Sequence, residues 1–98
     1  MAGILCFTDI MVDSESGSED EVAEALTKLP AVEELYYVTG ESDMVAVVRV
    51  EGTDELRDLL KNILQMKGVR SSMTSVVYDT RKGPRKKMEP TASQMDSQ

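Results

Sequence analysis

The sequence predicts an α+β fold in which two helices cover one face of a four-stranded antiparallel sheet. Apolar segments rich in β-branched residues alternate with segments whose apolar residues recur every three or four positions. The order is strand, helix, strand, strand, helix, strand, and each half of the chain contains one strand–helix–strand unit. Two such units in tandem are typical of the ferredoxin-like fold, βαββαβ.

The first half of the chain supplies three predicted elements. Residues 3–12, GILCFTDIMV, form a largely apolar run with β-branched and aromatic members, which predicts the first strand. A helix is expected from Ser18, because Ser18 and Glu21 match the capping box S-x-x-E. Pro30 would end this helix, whose apolar face comprises Val22, Ala25, Leu26 and Leu29. Residues 32–39, VEELYYVT, predict the second strand.

The second half repeats the pattern after a turn at residues 40–43. Residues 44–50, MVAVVRV, predict the third strand, and Thr53 is the expected N-cap of the second helix. The apolar face of that helix comprises Leu56, Leu59, Leu60, Ile63 and Leu64. Gly68 suits its C-terminal end, and residues 69–78 predict the fourth strand.

The sheet face opposite the helices is predicted to be apolar. In the third strand Met44, Ala46, Val48 and Val50 share one parity, while Val45 and Val47 share the other; the first strand is similarly apolar on both parities. Strands of this kind are buried on both faces, and 98 residues leave no third layer. We therefore expect a homodimer, a dimeric α+β barrel, in which a second copy covers this face. The alternative is an exposed apolar face that is liable to aggregate.

Composition excludes several kinds of site. The chain contains no histidine and one cysteine, Cys6, so neither a structural zinc site nor a nucleophile–base pair is expected. We expect no cofactor, no metal and no enzymatic activity. The longest apolar run, residues 44–48, is too short to span a bilayer, and the first residues do not resemble a signal peptide. A cytoplasmic protein with a buried, inert Cys6 thiol is the expectation.

Charge divides the chain into an acidic body and a basic tail. Residues 1–79 carry 16 acidic and 6 basic side chains, and residues 80–98 carry 2 and 5, which accounts for the net charge of −7. We expect residues 1–79 to form the folded domain and residues 80–98 to form a mostly disordered tail. The basic stretch 81–87 is either a contact for nucleic acid or an acidic partner, or a solubilising segment.

Three other classes of ferredoxin-like protein fit these residues poorly. An RNA-recognition domain presents aromatic side chains on its central strands, and residues 44–50 contain none. An acylphosphatase-like enzyme would need an anion-binding loop with arginine after the first strand, where residues 13–17 read DSESG. A nickel-responsive sensing domain would need histidine ligands, which the sequence lacks.

Two stretches resemble the effector-sensing (RAM) domain of the Lrp/AsnC family of transcription regulators. The first is YVTGESDMV at residues 37–45, with GSEDEV at residues 17–22 before it, and the second is KGVRSSMTSVV at residues 67–77. The resemblance covers residues 3–79. Full-length members carry an N-terminal helix-turn-helix, for which a first strand starting at residue 3 leaves no room, so we expect a stand-alone sensing domain.

The resemblance implies an amino-acid effector held between dimers, near the turn that joins the second and third strands. The implied ligand-binding residues are Gly40, Glu41, Asp43, Ser72 and Thr74. Amides of the turn would bind a carboxylate, Asp43 would bind an ammonium group, and Ser72 and Thr74 would present two hydroxyls on one side of a strand. Ser42 departs from the family, where an aromatic is common. Taken alone, Gly-x-x-Asp is also an ordinary hairpin turn.

The function implied by the resemblance is therefore regulatory. We expect a domain that senses an amino acid or a related metabolite, forms homodimers that assemble into higher oligomers, and modulates transcription through a full-length Lrp/AsnC regulator. Two alternatives remain open. One is a pure protein-interaction domain whose ligand site is vestigial, and the other is DNA binding through residues 81–87.

Overall fold

The computed structural model describes residues 3–13, 15 and 19–83. The elements follow the predicted order, with bounds β1 Ile4–Val12, α1 Glu19–Thr27, β2 Val32–Tyr37, β3 Met44–Val50, α2 Thr53–Gln65 and β4 Val69–Val76. All neighbouring strands are antiparallel, and the sheet order is β2-β3-β1-β4. This is the predicted ferredoxin-like arrangement. No helix among the described residues is long and apolar enough to cross a membrane.

Two strands end earlier than predicted. β2 ends at Tyr37, although the next amide, that of Val38, still donates to the carbonyl of Asp43 across the turn at 3.1 Å. β4 ends at Val76, although the Val77 amide still donates to the Leu5 carbonyl at 2.9 Å. The predicted capping box at Ser18 lies outside the described residues, as does the tail beyond residue 83.

The prediction that Thr53 is the N-cap of α2 is wrong. Gly52 occupies the N-cap position in an extended conformation and offers no side-chain cap. Glu55, in the first turn, reaches back to the residue before the N-cap, since its Oε1 atom accepts the backbone N–H of Glu51 at 2.7 Å. The carboxylates of Asp54 and Glu55 in the first turn also interact favourably with the positive end of the helix dipole.

The hydrophobic core lies between the helices and one face of the sheet. It is built from inward side chains of β1 and β3 and from one stripe of each helix: Cys6, Ile10, Met44, Ala46, Val48, Val50, Val22, Ala23, Leu26, Leu59 and Ile63. Full burial of each large aliphatic side chain contributes about 1.5–3 kcal/mol. Thr8 is buried among these residues, with none of its surface exposed.

The opposite side of the sheet, which we call the open face, carries the other parity of every strand. Its members, read from the strand register, are Leu5, Phe7, Asp9, Met11, Glu34, Tyr36, Val45, Val47, Arg49, Ser71, Met73 and Ser75. Large side chains on it remain in contact with solvent, with 40% of Phe7, 52% of Tyr36 and 69% of Met73 exposed. Both faces of the central strands are therefore apolar, as the sequence predicts, and the homodimer stays a prediction.

Candidate functional site

Three of the five predicted ligand-binding residues lie in the turn between β2 and β3. Gly40 has a φ of +111°, in the region that favours glycine, and a Cβ atom built on it would meet nothing within 4 Å. The backbone is therefore open to a ligand at this point. Glu41 follows it and is exposed, while Asp43 is only partly exposed.

Asp43 holds three strand ends together. Its amide donates to the carbonyl of Ile10 at 2.9 Å, and its carbonyl accepts the amide of Val38 at 3.1 Å. Its side chain also takes part, since Oδ2 accepts the amide of Val12 at 2.8 Å. The remaining oxygen, Oδ1, accepts no hydrogen bond from the described residues. Asp43 thus has a structural role, and one carboxylate oxygen remains available.

Ser72 and Thr74 lie on β4 and share the helix-facing side of the sheet. The register pairs Ser72 with Ile10 and Thr74 with Thr8. Both side chains are partly exposed, because β4 is at the edge of the sheet. The Thr74 hydroxyl lies 2.9 Å from the Thr8 hydroxyl, and Ser72 makes no hydrogen bond through its side chain to the described residues.

The structure therefore forms two groups of predicted site residues, and strand β1 separates them. Ile10 pairs with Met44 of β3 on one side and with Ser72 of β4 on the other. Since neighbouring strands are about 4.8 Å apart, the turn and β4 are separated by about 10 Å. The two groups lie near the same end of the sheet.

Two surface depressions lined by described residues lie elsewhere. One of about 580 Å³ lies between the start of β1 and residues 76–80. Another of about 340 Å³ lies between α1 and the outer strand β2. In the second, the Tyr37 hydroxyl donates to Asp20 Oδ1 at 2.8 Å, and this bond to a carboxylate raises the pKa of Tyr37. Neither depression includes any of the five predicted residues.

Sequence reasoning missed Thr8. It has the parity of Cys6 and Ile10 on an apolar strand, and a hydroxyl at such a position needs a hydrogen-bond partner. The alternation of β1 already carries this signal. Among the described residues, no group of three or more His, Cys, Asp or Glu side chains is arranged to hold a metal ion.

The family model for the Lrp/AsnC ligand-binding domain matches residues 5–86. Among curated proteins, the HTH-type transcriptional regulator FL11 of Pyrococcus horikoshii is 37% identical over 73 residues, which are 74% of this chain and 48% of that protein. FL11 of Pyrococcus furiosus is 34% identical over 79 residues, which are 81% of this chain and 51% of that protein. The chain thus spans about half the length of these curated relatives.

Solved structures agree with this assignment. The TTHA0845 protein of Thermus thermophilus is 35% identical with a TM-score of 0.72, over 84% of this chain and 99% of that one. A feast or famine regulatory protein from M. tuberculosis, complexed with L-methionine, is 28% identical with a TM-score of 0.71, over 85% of this chain and 55% of that one. The α+β fold and the resemblance seen in the sequence are both confirmed, and the chain belongs to the Lrp/AsnC ligand-binding domain family.

Proposed function

We propose that this domain is a non-enzymatic sensor of an amino acid or a related small metabolite, and that it modulates transcription through a partner regulator. The observation that carries the proposal is the similarity, over 85% of the chain, to the M. tuberculosis regulator complexed with L-methionine. A full-length Lrp/AsnC regulator is the partner we propose. The cytoplasm is the expected location, and a buried, unpaired Cys6 suits it.

The proposed ligand site combines the turn at Gly40, Glu41 and Asp43 with the hydroxyls of Ser72 and Thr74. The open backbone at Gly40 and the available Oδ1 of Asp43 suit the two charged groups of an amino acid. Because about 10 Å and strand β1 separate these groups within one chain, a second dimer would complete the site.

The proposed assembly begins with two copies that pack their open faces together, and such dimers then associate further. The exposed apolar side chains of the open face support this arrangement, since exposed apolar surface of this kind is a common sign of an interface. An effector that binds between dimers would stabilise the larger assembly, by about 2.7 kcal/mol at a concentration one hundred times its Kd. Regulation would follow from this linkage.

Calorimetric titration and native mass spectrometry of the full chain against each of the twenty amino acids test the proposal. We expect at least one amino acid to bind and to change the population of oligomers. Ser72→Ala should weaken this binding, whereas Thr27→Val, an exposed change on α1, should leave it unchanged. Absence of binding by every amino acid at millimolar concentration would contradict the sensing function.

Asp43 favours a second candidate, an assembly domain with a vestigial ligand site. Its amide, its carbonyl and one carboxylate oxygen all bond within the fold, so its presence does not require a ligand. In that case oligomers would form with no response to amino acids.

DNA binding through residues 81–87 is a separate hypothesis, and a gel shift tests it. Arg85, Lys86 and Lys87 are replaced by glutamine in the full chain, and the variant is compared with the unmodified chain. If both chains shift the DNA equally, or if neither shifts it, these residues do not bind DNA.

A further inference from the structure

Thr8 places a hydroxyl inside the hydrophobic core. It lies at the middle of β1, between Cys6 and Ile10 on the helix-facing side, and none of its surface reaches solvent. Burying a hydroxyl without a hydrogen bond costs free energy, so the hydrogen of Thr8 is expected to point at an acceptor. Its position on a strand that is paired on both sides also keeps its backbone in place.

Thr74 supplies the partner of this hydroxyl. The two Oγ1 atoms are 2.9 Å apart, and no other hydrogen bond of the Thr8 side chain exists among the described residues. The distance alone permits either atom to be the donor. If Thr74 donated, the hydrogen of Thr8 would point into the apolar core without an acceptor. Because Thr74 is partly exposed, its own hydrogen can reach solvent, so the favoured arrangement has Thr8 donating to Thr74.

We propose that Thr8 is a positioning residue that orients the Thr74 hydroxyl so that Thr74 donates to the ligand. The inference rests on the proposed function, because it assumes that Thr74 contacts an effector. With one lone pair occupied by Thr8, the hydroxyl of Thr74 presents its hydrogen outward. The ligand atom that meets it is then an acceptor, and the carboxylate oxygen of an amino acid is the acceptor of this kind that the proposed function supplies.

Ser72 adds a second hydroxyl on the same side of β4, two residues away. It makes no side-chain hydrogen bond to the described residues, so its hydrogen has no fixed direction in the free domain. Thr74 and Ser72 therefore differ: Thr74 is oriented in advance by the core, and Ser72 is free to adapt. A hydroxyl held in its binding orientation loses less entropy when the ligand arrives.

A double-mutant cycle between Thr8 and Thr74 tests the inference, with calorimetric Kd values for the full chain. The probe is L-methionine, the ligand of the M. tuberculosis relative, followed by the other nineteen amino acids should methionine not bind. Thr8→Val removes the hydroxyl at nearly constant volume, and we expect it to weaken binding by about three- to tenfold. Thr8→Ser keeps the donor and should stay within about twofold of the unmodified chain.

The decisive measurement is Thr8→Val in the background of Thr74→Val. A positioning residue acts only through Thr74, so we expect no further loss of affinity in the double variant. A structural role of Thr8 would give the same loss in both backgrounds, and that result would overturn the inference. So would an unchanged Kd for Thr8→Val alone. Thr27→Val serves as the matched control on α1.

Two further outcomes are distinguishable. If the unmodified chain binds none of the twenty amino acids, the proposed function fails and the inference fails with it. If the chain binds and the cycle shows no coupling, only the inference fails. Thermal denaturation of each variant checks folding, and Thr8→Ala supplies the same test should Thr8→Val not fold, since it also removes the hydroxyl without adding volume.

Discussion

Asp9 provides the sharpest test of the proposed dimer, because its carboxylate lies at the centre of the apolar open face. Its cross-strand neighbours are Val45 and Met73, and its neighbours along β1 on the same face are Phe7 and Met11. It makes no hydrogen bond or ion pair with the described residues. The other two charged members of the open face are already engaged, since Arg49 pairs with Glu33 at 3.1 Å and Glu34 accepts the Tyr36 hydroxyl at 2.6 Å.

The effect of Asp9 on the free energy of dimerisation follows from the surface that a second copy would cover. Each dimer would remove two Asp9 carboxylates from water, and an unpaired buried ion costs several kcal/mol even after relaxation. A hydroxyl of the open face, such as that of Ser75, would recover part of this cost. Asp9→Asn keeps the size and removes the charge, while an unpaired amide costs only about 1–3 kcal/mol. We therefore expect the dimer to gain about 2 kcal/mol, roughly a thirtyfold lower Kd.

Sedimentation equilibrium of the full chain at several loading concentrations measures this Kd directly. Asp58→Asn is the matched control, because Asp58 lies on the exposed side of α2 and changes the net charge equally. An unchanged or weaker association of Asp9→Asn would refute the reasoning. An unchanged Kd would mean that the open face is not the interface, and a weaker one would mean that the second copy supplies a donor to this carboxylate.

Three further predictions concern single residues. Burial raises the pKa of the Cys6 thiol, so the reactive thiolate is scarcer in the folded chain than in the unfolded chain. A thiol reagent should therefore label Cys6 only as fast as the protein unfolds, and rapid labelling of the native protein would contradict this. Gly40→Ala should lower the free energy of unfolding, measured by urea denaturation, by about 1–2 kcal/mol, because the φ of Gly40 is +111°. No atom lies within 4 Å of a Cβ at this position, so the loss would come from the backbone alone, and an unchanged midpoint would show that the turn relaxes. Asp43→Ala should lower the free energy of unfolding by about 1–3 kcal/mol in the same measurement, since the amide of Val12 loses its acceptor. Asp43→Asn should retain part of the stability, and equal losses in the two variants would argue against the hydrogen bond between Val12 and Asp43.

The fold could be predicted because its signals are local and consistent. The two apolar periodicities, the acidic first turns and the Gly68 turn with φ of +96° all specify elements independently of one another. The errors occur where the environment decides. Leu64 belongs to the apolar stripe of α2 by spacing, yet 53% of it is exposed, whereas Ile63 beside it is fully buried. The core-facing side of the helix is therefore centred on Leu59 and Ile63, and Leu64 lies at its margin. Thr53 was a plausible cap by residue type, but α2 begins one residue earlier, with Gly52 at the N-cap.

The site was harder to predict than the fold, for a physical reason. Spacing along the chain identifies the residues of the β2–β3 turn as neighbours, and it identifies Ser72 and Thr74 as members of one strand face. Strand order is a long-range property, and only the order β2-β3-β1-β4 shows that β1 separates the two groups. The structural role of Asp43 depends equally on a distant contact, the amide of Val12. Whether the five residues bind a ligand stays a prediction.

The separation of the two groups of predicted site residues by β1 links ligand binding to assembly. If the effector completes its site only between dimers, then a change that stabilises the dimer must raise the apparent affinity for the effector wherever the protein is partly monomeric. Asp9 pairs with Met73, which is next to Ser72 along β4, but its side chain lies on the open face and that of Ser72 lies on the helix-facing side. Asp9→Asn therefore has no direct contact with the proposed ligand site. Below the Kd of the dimer, it should therefore tighten apparent amino-acid binding. Well above that Kd, it should leave the affinity unchanged, and a concentration-independent effect would show that binding does not require assembly.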